Sequence, residues 1–173
     1  NYPDFPDPTR LKNDLKRAKL SLYPISQEGK YGFIDSLGNV IIPCAYDWVD
    51  DFSEGSCAVS IDEKAGYINK SGSIMIPLTY DEANSFRGAL AILKKENKFG
   101  VIHKTGKLVL PLEFDDVSIS DDDEIIKALK EGTYRCFDSK GKLLFEWQYE
   151  KAGDFSFGKA YIVQNGKYGF IST

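Results

Sequence analysis

A chain of 173 residues with 42% hydrophobic residues has enough apolar material for a packed core, as one large domain or two small ones. Its formal net charge of −4, with Lys and Arg scattered rather than gathered in one run, gives no footprint for nucleic acid. No apolar run reaches the roughly 18 residues of a membrane span and there is no signal-peptide core; the chain opens on Asn1 rather than Met, which leaves room for an upstream segment and leaves the compartment open.

Residues 1–20 read as an N-terminal extension. Within "TRLKNDLKRAKL", residues 9–20, Thr9 or Asp7 is a suitable cap for a helix with Leu11, Leu15 and Ala18 on one face. Two readings stand side by side: a helix that covers the apolar end of a repeat array, and the tail of a longer protein.

From residue 21 onward the sequence repeats. "GKYGFI" occurs at positions 29–34 and again at 166–171, and its inner glycine returns as Gly32, Gly66, Gly100 and Gly169, with Arg135 in the fourth place. Successive spacings are 34, 34, 35 and 34 residues. A second glycine keeps the same phase at Gly38, Gly72, Gly106 and Gly141. A proline follows at Pro43, Pro77 and Pro111, where Glu146 breaks the rule. An aromatic and an acid then close the pattern at Tyr46-Asp47, Tyr80-Asp81, Phe114-Asp115 and Tyr149-Glu150. A phase shared by so many positions defines a repeating unit of about 34 residues, present as about four full copies and a terminal half.

Within each period three strands are predicted. The runs "CAVSI", "LAILK" and "AYIVQ" are β-rich and lead into the turns "DEKA", "KENK" and "QNGK". Asn165-Gly166 is the strongest hairpin signal, because both central residues of a type I′ turn need positive φ. A second strand such as "YGFID" follows, then a glycine-containing loop, then a third strand, "VIIP", "IMIP" or "LVLP", whose proline stops the ladder. The Tyr-Asp-x-Val stretch is a candidate fourth, short strand and Phe-Ser-x-Gly a turn. The strand glycine is expected to leave room for a ring or a neighbouring backbone.

The whole register, roughly K-aromatic-G-aromatic-I-D-x-x-G-x-x-I-x-P-x-x-Y-D-x-V-x-x-F-x-x-G-x-A, resembles the WG, or KWG, β-repeat of bacterial proteins over about residues 20–173. The Trp-Gly pair of that family falls on Tyr31-Gly32, Ala65-Gly66, Phe99-Gly100 and Tyr168-Gly169, so the tryptophan itself is absent. The resemblance implies a mostly β repeat domain over 21–173 and brings no catalytic residue and no cofactor with it. The expected fold class is an all-β repeat protein: an open twisted array of stacked three- to four-stranded antiparallel units, with a short N-terminal helix. A small closed, propeller-like array is the alternative. The open form is preferred because 34 residues fall short of the roughly 40–45 of a propeller blade, and because both ends carry the same strand.

Comparison between units singles out a few residues. Trp147 takes a place held by Cys44, Leu78 and Leu112 and reads as core, whereas the counterparts of Trp48 are Glu82, Asp116 and Lys151. Trp48 is therefore either an exposed binding anchor or packed locally against the N-terminal helix or a loop. Cys44 and Cys136 read as small buried hydrophobes, and a Cys44–Cys57 bridge is left open. His103 stands at the turn position of Asp35, Asn69 and Asp138 and reads as a surface turn residue rather than a metal ligand or catalytic base. In the degenerate unit "SISDDDE" replaces the Phe-x-x-Gly turn; it reads as a solvated acidic loop, with Ca²⁺ binding as the rival.

No nucleophile, base and orienting group occur once together, so an enzyme is not expected. The expected function is a non-catalytic scaffold for another protein, with Trp48, Asp121, Asp122, Asp123 and Arg135 as candidate contact residues and no metal or cofactor. A cell-surface or glycan-binding module is the alternative, and a structural spacer the third reading.

Overall fold

The structure, a computed structural model, describes residues 21–121, 123–147 and 151–172. Regular structure among them is entirely β and forms five antiparallel sheets, none of which closes into a barrel. The expected N-terminal helix lies outside the described residues, as do Asp122 and the side chain of Trp147. The chain divides into two compact units, Asn1–Leu78 and Thr79–Thr173.

In the first unit, β1 (Leu22–Gln27), β2 (Lys30–Asp35) and β3 (Val40–Tyr46) form one three-stranded sheet. The next sheet runs β4 (Trp48–Val49), β5 (Ser56–Ile61), β6 (Lys64–Asn69) and β7 (Ile74–Tyr80), and the unit boundary falls inside β7. In the second unit β8 (Glu82–Ala83), β9 (Leu90–Lys95), β10 (Lys98–His103) and β11 (Leu108–Phe114) make a third sheet. A fourth holds β12 (Asp116–Ile119), β13 (Ile125–Lys130), β14 (Thr133–Asp138) and β15 (Leu143–Trp147). The fifth is β16 (Lys151–Ala152), β17 (Lys159–Gln164) and β18 (Lys167–Ser172). The expected short fourth strand exists, but it opens the following sheet instead of closing its own.

Turn chemistry sets this connectivity. The first and second long strands of every sheet join through two residues in the left-handed region: Glu28-Gly29, Asp62-Glu63, Glu96-Asn97, Glu131-Gly132 and Asn165-Gly166. This is the type I′ geometry that matches strand twist, and it holds the register of each hairpin.

No sheet buries its apolar face alone. Phe33, Ile42 and Tyr46 of the first sheet pack with Cys57, Val59 and Ile68 of the second. In the second unit Leu90, Val101, Leu110 and Phe114 meet Val117, Ile126 and Ala128, and Ile125, Cys136 and Phe145 meet Phe155, Ala160 and Ile171. Each core is thus an interface between successive sheets, which is why the same apolar phase recurs. Phe86 and Phe155, the phase-locked rings of the Phe-Arg-Gly and Phe-Ser-Phe-Gly turns, are buried.

Three of the strand glycines, Gly32, Gly66 and Gly100, lie against backbone. In the first sheet Tyr31 faces Tyr46 and Phe33 faces Ile42, so two residues of β2 span four of β3. The third sheet repeats this, with Phe99 opposite Phe114 and Val101 opposite Leu110. The third strand therefore bulges at its proline, which has no N–H to give the ladder. A Cβ on Gly66 would lie 2.6 Å from the Ile76 carbonyl oxygen and 2.7 Å from that of Pro77, and one on Gly100 2.9 Å from those of Leu110 and Pro111. Gly32 is enclosed in the same way by Ile42, Pro43 and Cys44.

The fourth sheet has lost glycine and proline together, and the bulge with them. Tyr134 faces Trp147, Arg135 faces Glu146 and Cys136 faces Phe145 in an unbroken run. Arg135 Nε donates to Glu146 Oε2 at 3.1 Å, so the two departures from the repeat form one cross-strand ion pair.

Candidate functional surface

The acids that recur at every unit are tied to turns. Asp47 accepts a hydrogen bond from the Asp62 amide at 2.8 Å, Asp81 from the Glu96 amide at 2.7 Å and Asp115 from the Glu131 amide at 2.9 Å. Each acid thus braces the type I′ turn of the following sheet. Asp47 also pairs with Lys30, and Asp115 with Lys98 at 2.6 Å. The lysine hydrogen bond, helped by the turn amide, holds both carboxyls below their ordinary value of 3.8.

His103 serves a neighbouring turn. The Thr105 amide donates to His103 Nδ1 at 3.2 Å, as the Leu37 amide donates to Asp35 and the Ser71 amide to Asn69. Among the described residues no group of three or more His, Cys, Asp or Glu side chains is arranged to hold a metal ion. Cys44, Cys57 and Cys136 are all free thiols, so the bridge left open by the sequence is not formed. Cys136 is buried as expected, while Cys44 is only half-buried because its place on the bulge of β3 turns it partly outward. Burial pushes the Cys57 and Cys136 thiols up to about 12.

The candidate contact residues fall in different places. Trp48 stands on the short outer strand β4, paired with Ser60, and is 45% exposed. Asp121 and Asp123 lie in the turn between β12 and β13, and both carboxylates face Arg87, at 3.6 Å and 3.9 Å. The acidic loop is thus partly neutralised by a guanidinium. Arg135 is held by Glu146 in the fourth sheet, apart from the Arg87 cluster.

The larger exposed apolar feature escaped sequence reasoning. Tyr168 and Phe170, in the second "GKYGFI", are each 80% exposed, although the first copy buries its phenylalanine to 1%.

Consecutive antiparallel sheets of three or four strands, sealed sheet against sheet and repeating every 34 or 35 residues, define an all-β repeat protein. The WG-containing repeat profile matches residues 31–64, 66–99, 99–134 and 134–168, and the chain belongs to that family. No curated protein matches the sequence. Among solved structures the chain is similar to Hsv2p of Kluyveromyces lactis, with a TM-score of 0.53 and 13% identity over 87% of this chain and 58% of that one. It is also similar to a eukaryotic initiation factor, with a TM-score of 0.59 and 12% identity over 88% of this chain and 48% of the other. The chain thus spans about half the length of these structures, and the likeness is one of fold.

Proposed function

We propose that this protein is a non-catalytic repeat scaffold that holds another protein, with Trp48 as one anchor. The observation that carries the reading is the exposure of Trp48, 45%, at a position where the sister units place Glu82, Asp116 and Lys151. A large ring on a solvent-facing outer strand has no role in the core, and rings of this kind anchor interfaces. The recurring acids Asp47, Asp81 and Asp115 support the non-catalytic part, because each is engaged in bracing a turn. In this reading Asp121, Asp122, Asp123 and Arg135 are secondary contacts.

The test is affinity capture from a bacterial lysate with the parent protein, with Trp48→Ala, and with Asp121, Asp122 and Asp123 all changed to Ser. Loss of a captured protein with Trp48→Ala, at an unchanged melting temperature, is the expected result. Equal recovery by all three removes these residues as contacts, and capture of carbohydrate alone favours the glycan-binding reading.

A further inference from the structure

The second unit holds a cleft of about 270 Å³ between its third and fourth sheets, small beside the roughly 300–1,000 Å³ of most ligand sites. Its floor is apolar, with Leu90 and Ile92 from β9 and Val117 and Ile119 from β12. Asn84, Ser118 and Asp154, at or just beyond the short strands β8, β12 and β16, bring polar groups to it. In that stretch the units read Asp50-Asp51, Asn84-Ser85, Ser118-Ile119 and Gly153-Asp154, so the repeat does not fix these residue types. Ser118 and Lys127 are cross-strand partners, and both donate to one oxygen of Asp154, Ser118 Oγ to Oδ1 at 2.7 Å and Lys127 Nζ to Oδ1 at 2.6 Å. Asp154 Oδ2 makes no hydrogen bond among the described residues. An ammonium placed where sister units carry Ala58 and Ile92 costs stability. What it secures is one carboxylate, fixed beside an apolar floor with an acceptor to spare.

Charge points the same way. Arg87 also lines the cleft, yet it meets Asp121 and Asp123 only at 3.6 Å and 3.9 Å. Asp123 Oδ1 is out of solvent and has no hydrogen-bond partner among the described residues. These ion pairs set two cations, Arg87 and Lys127, against three carboxylates, Asp121, Asp123 and Asp154, an excess of one negative charge. We propose that the cleft binds a primary ammonium group on a short aliphatic stem. An ammonium has three donors and no acceptor. Asp154 Oδ2 and the side-chain oxygens of Ser118 and Asn84 take them, while the methylenes lie on Leu90, Ile92 and Val117. A carboxylate ligand finds only Arg87, already opposed by two acids, and is the poorer occupant. A free alkylamine and a lysine side chain of another polypeptide both present the group the cleft reads.

The experiment follows the amide proton–nitrogen correlation spectrum of the whole chain at neutral pH during titration with butylammonium chloride, and separately with butanol, sodium butyrate and γ-aminobutyrate. Saturable shifts at the amides of Ile92, Val117 and Ser118 are expected with butylammonium and none with butanol or butyrate. Asp154→Asn weakens binding at least about tenfold, and Arg87→Gln, which adds to the negative excess, strengthens it about two- to threefold. Because Asp154→Asn leaves Lys127 without its counter-charge, the double variant Lys127→Met with Asp154→Asn separates binding from folding. It keeps the melting temperature of the parent and still does not bind. A blocked Gly-Lys-Gly peptide that saturates the same amides more tightly than butylammonium places the group on a polypeptide, and weaker binding places it on a free amine. Absence of saturation, equal affinity for butanol, indifference to Asp154→Asn, or tighter binding of γ-aminobutyrate that Arg87→Gln weakens overturns the proposal. None of these outcomes bears on Trp48, so the scaffold reading stands or falls separately.

Discussion

Lys127 stands where the other units carry Ala58, Ile92 and Tyr161, and its side chain is only 9% exposed. An ammonium at such a place needs compensation. It reaches the Asp154 carboxylate at 2.6 Å, the Ala152 carbonyl at 3.1 Å and the Tyr134 ring at 5.7 Å. Partial burial pushes the Asp154 carboxyl up, but the hydrogen bonds from Lys127 and Ser118, with the charge of Lys127, outweigh it and hold the group below 3.8. Asp154→Ala leaves the ammonium without its counter-charge. The expected loss is about 1–2 kcal/mol, reduced from a fully buried pair because Asp154 is itself 66% exposed, and chemical denaturation measures it. The thiols give a second check at this scale. Burial keeps Cys57 and Cys136 protonated and shielded, so a thiol reagent titrates Cys44 first in the folded protein and all three after denaturation.

Strands and turns carry different risks. Gly66→Val and Gly100→Val press a branched side chain into the carbonyls of the bulge, an overpacking cost of about 1–3 kcal/mol that lowers the melting temperature by about 5–10 °C. Trp48→Ala changes it by about 1 °C or less, and equal losses at both kinds of site would contradict the assignment of Trp48 to the surface. The turn-bracing acids predict the acid response. Asp47 and Asp115 have depressed pKa values in the folded state, so their stabilisation is complete above the ordinary carboxylate value of 3.8 and is lost as pH falls through the folded values. In Asp47→Asn and Asp115→Asn the dependence of stability on pH below about 4 is therefore shallower than in the parent. Much at this scale was legible, because type I′ turns demand particular residues and Asn165-Gly166 announces one. The bulge was not, since nothing in a linear pattern states that Gly32 and Pro43 lie across from each other. The joint loss of Gly and Pro at Arg135 and Glu146 was the available signal.

Across the molecule protection follows the sealing of sheet by sheet. β5 places Ser56, Cys57, Ala58 and Val59 out of solvent, whereas β18 has no fully buried residue. Hydrogen exchange followed by mass spectrometry is expected to be slowest over β5, β6 and β13 and fastest over β18, and uniform rates would contradict cores that form between sheets. The all-β repeat character was readable from residue 21 onward because a half-covered sheet imposes one apolar phase on every copy. The exposed edge of β18 was not, because identical letters at 29–34 and 166–171 imply identical surroundings until the neighbouring strand is located.

The one-for-one pairing of Tyr134, Arg135 and Cys136 with Trp147, Glu146 and Phe145 also bears on how recurring copies avoid mispairing while the chain folds. If β14 docked on β11, one copy back, or on β7, two copies back, Arg135 would collide with a kinked, proline-bearing partner that tolerates only hydrogen at that point. One atypical copy thereby serves as a bookmark, fixing which hairpin belongs to which neighbour in a text that otherwise repeats itself.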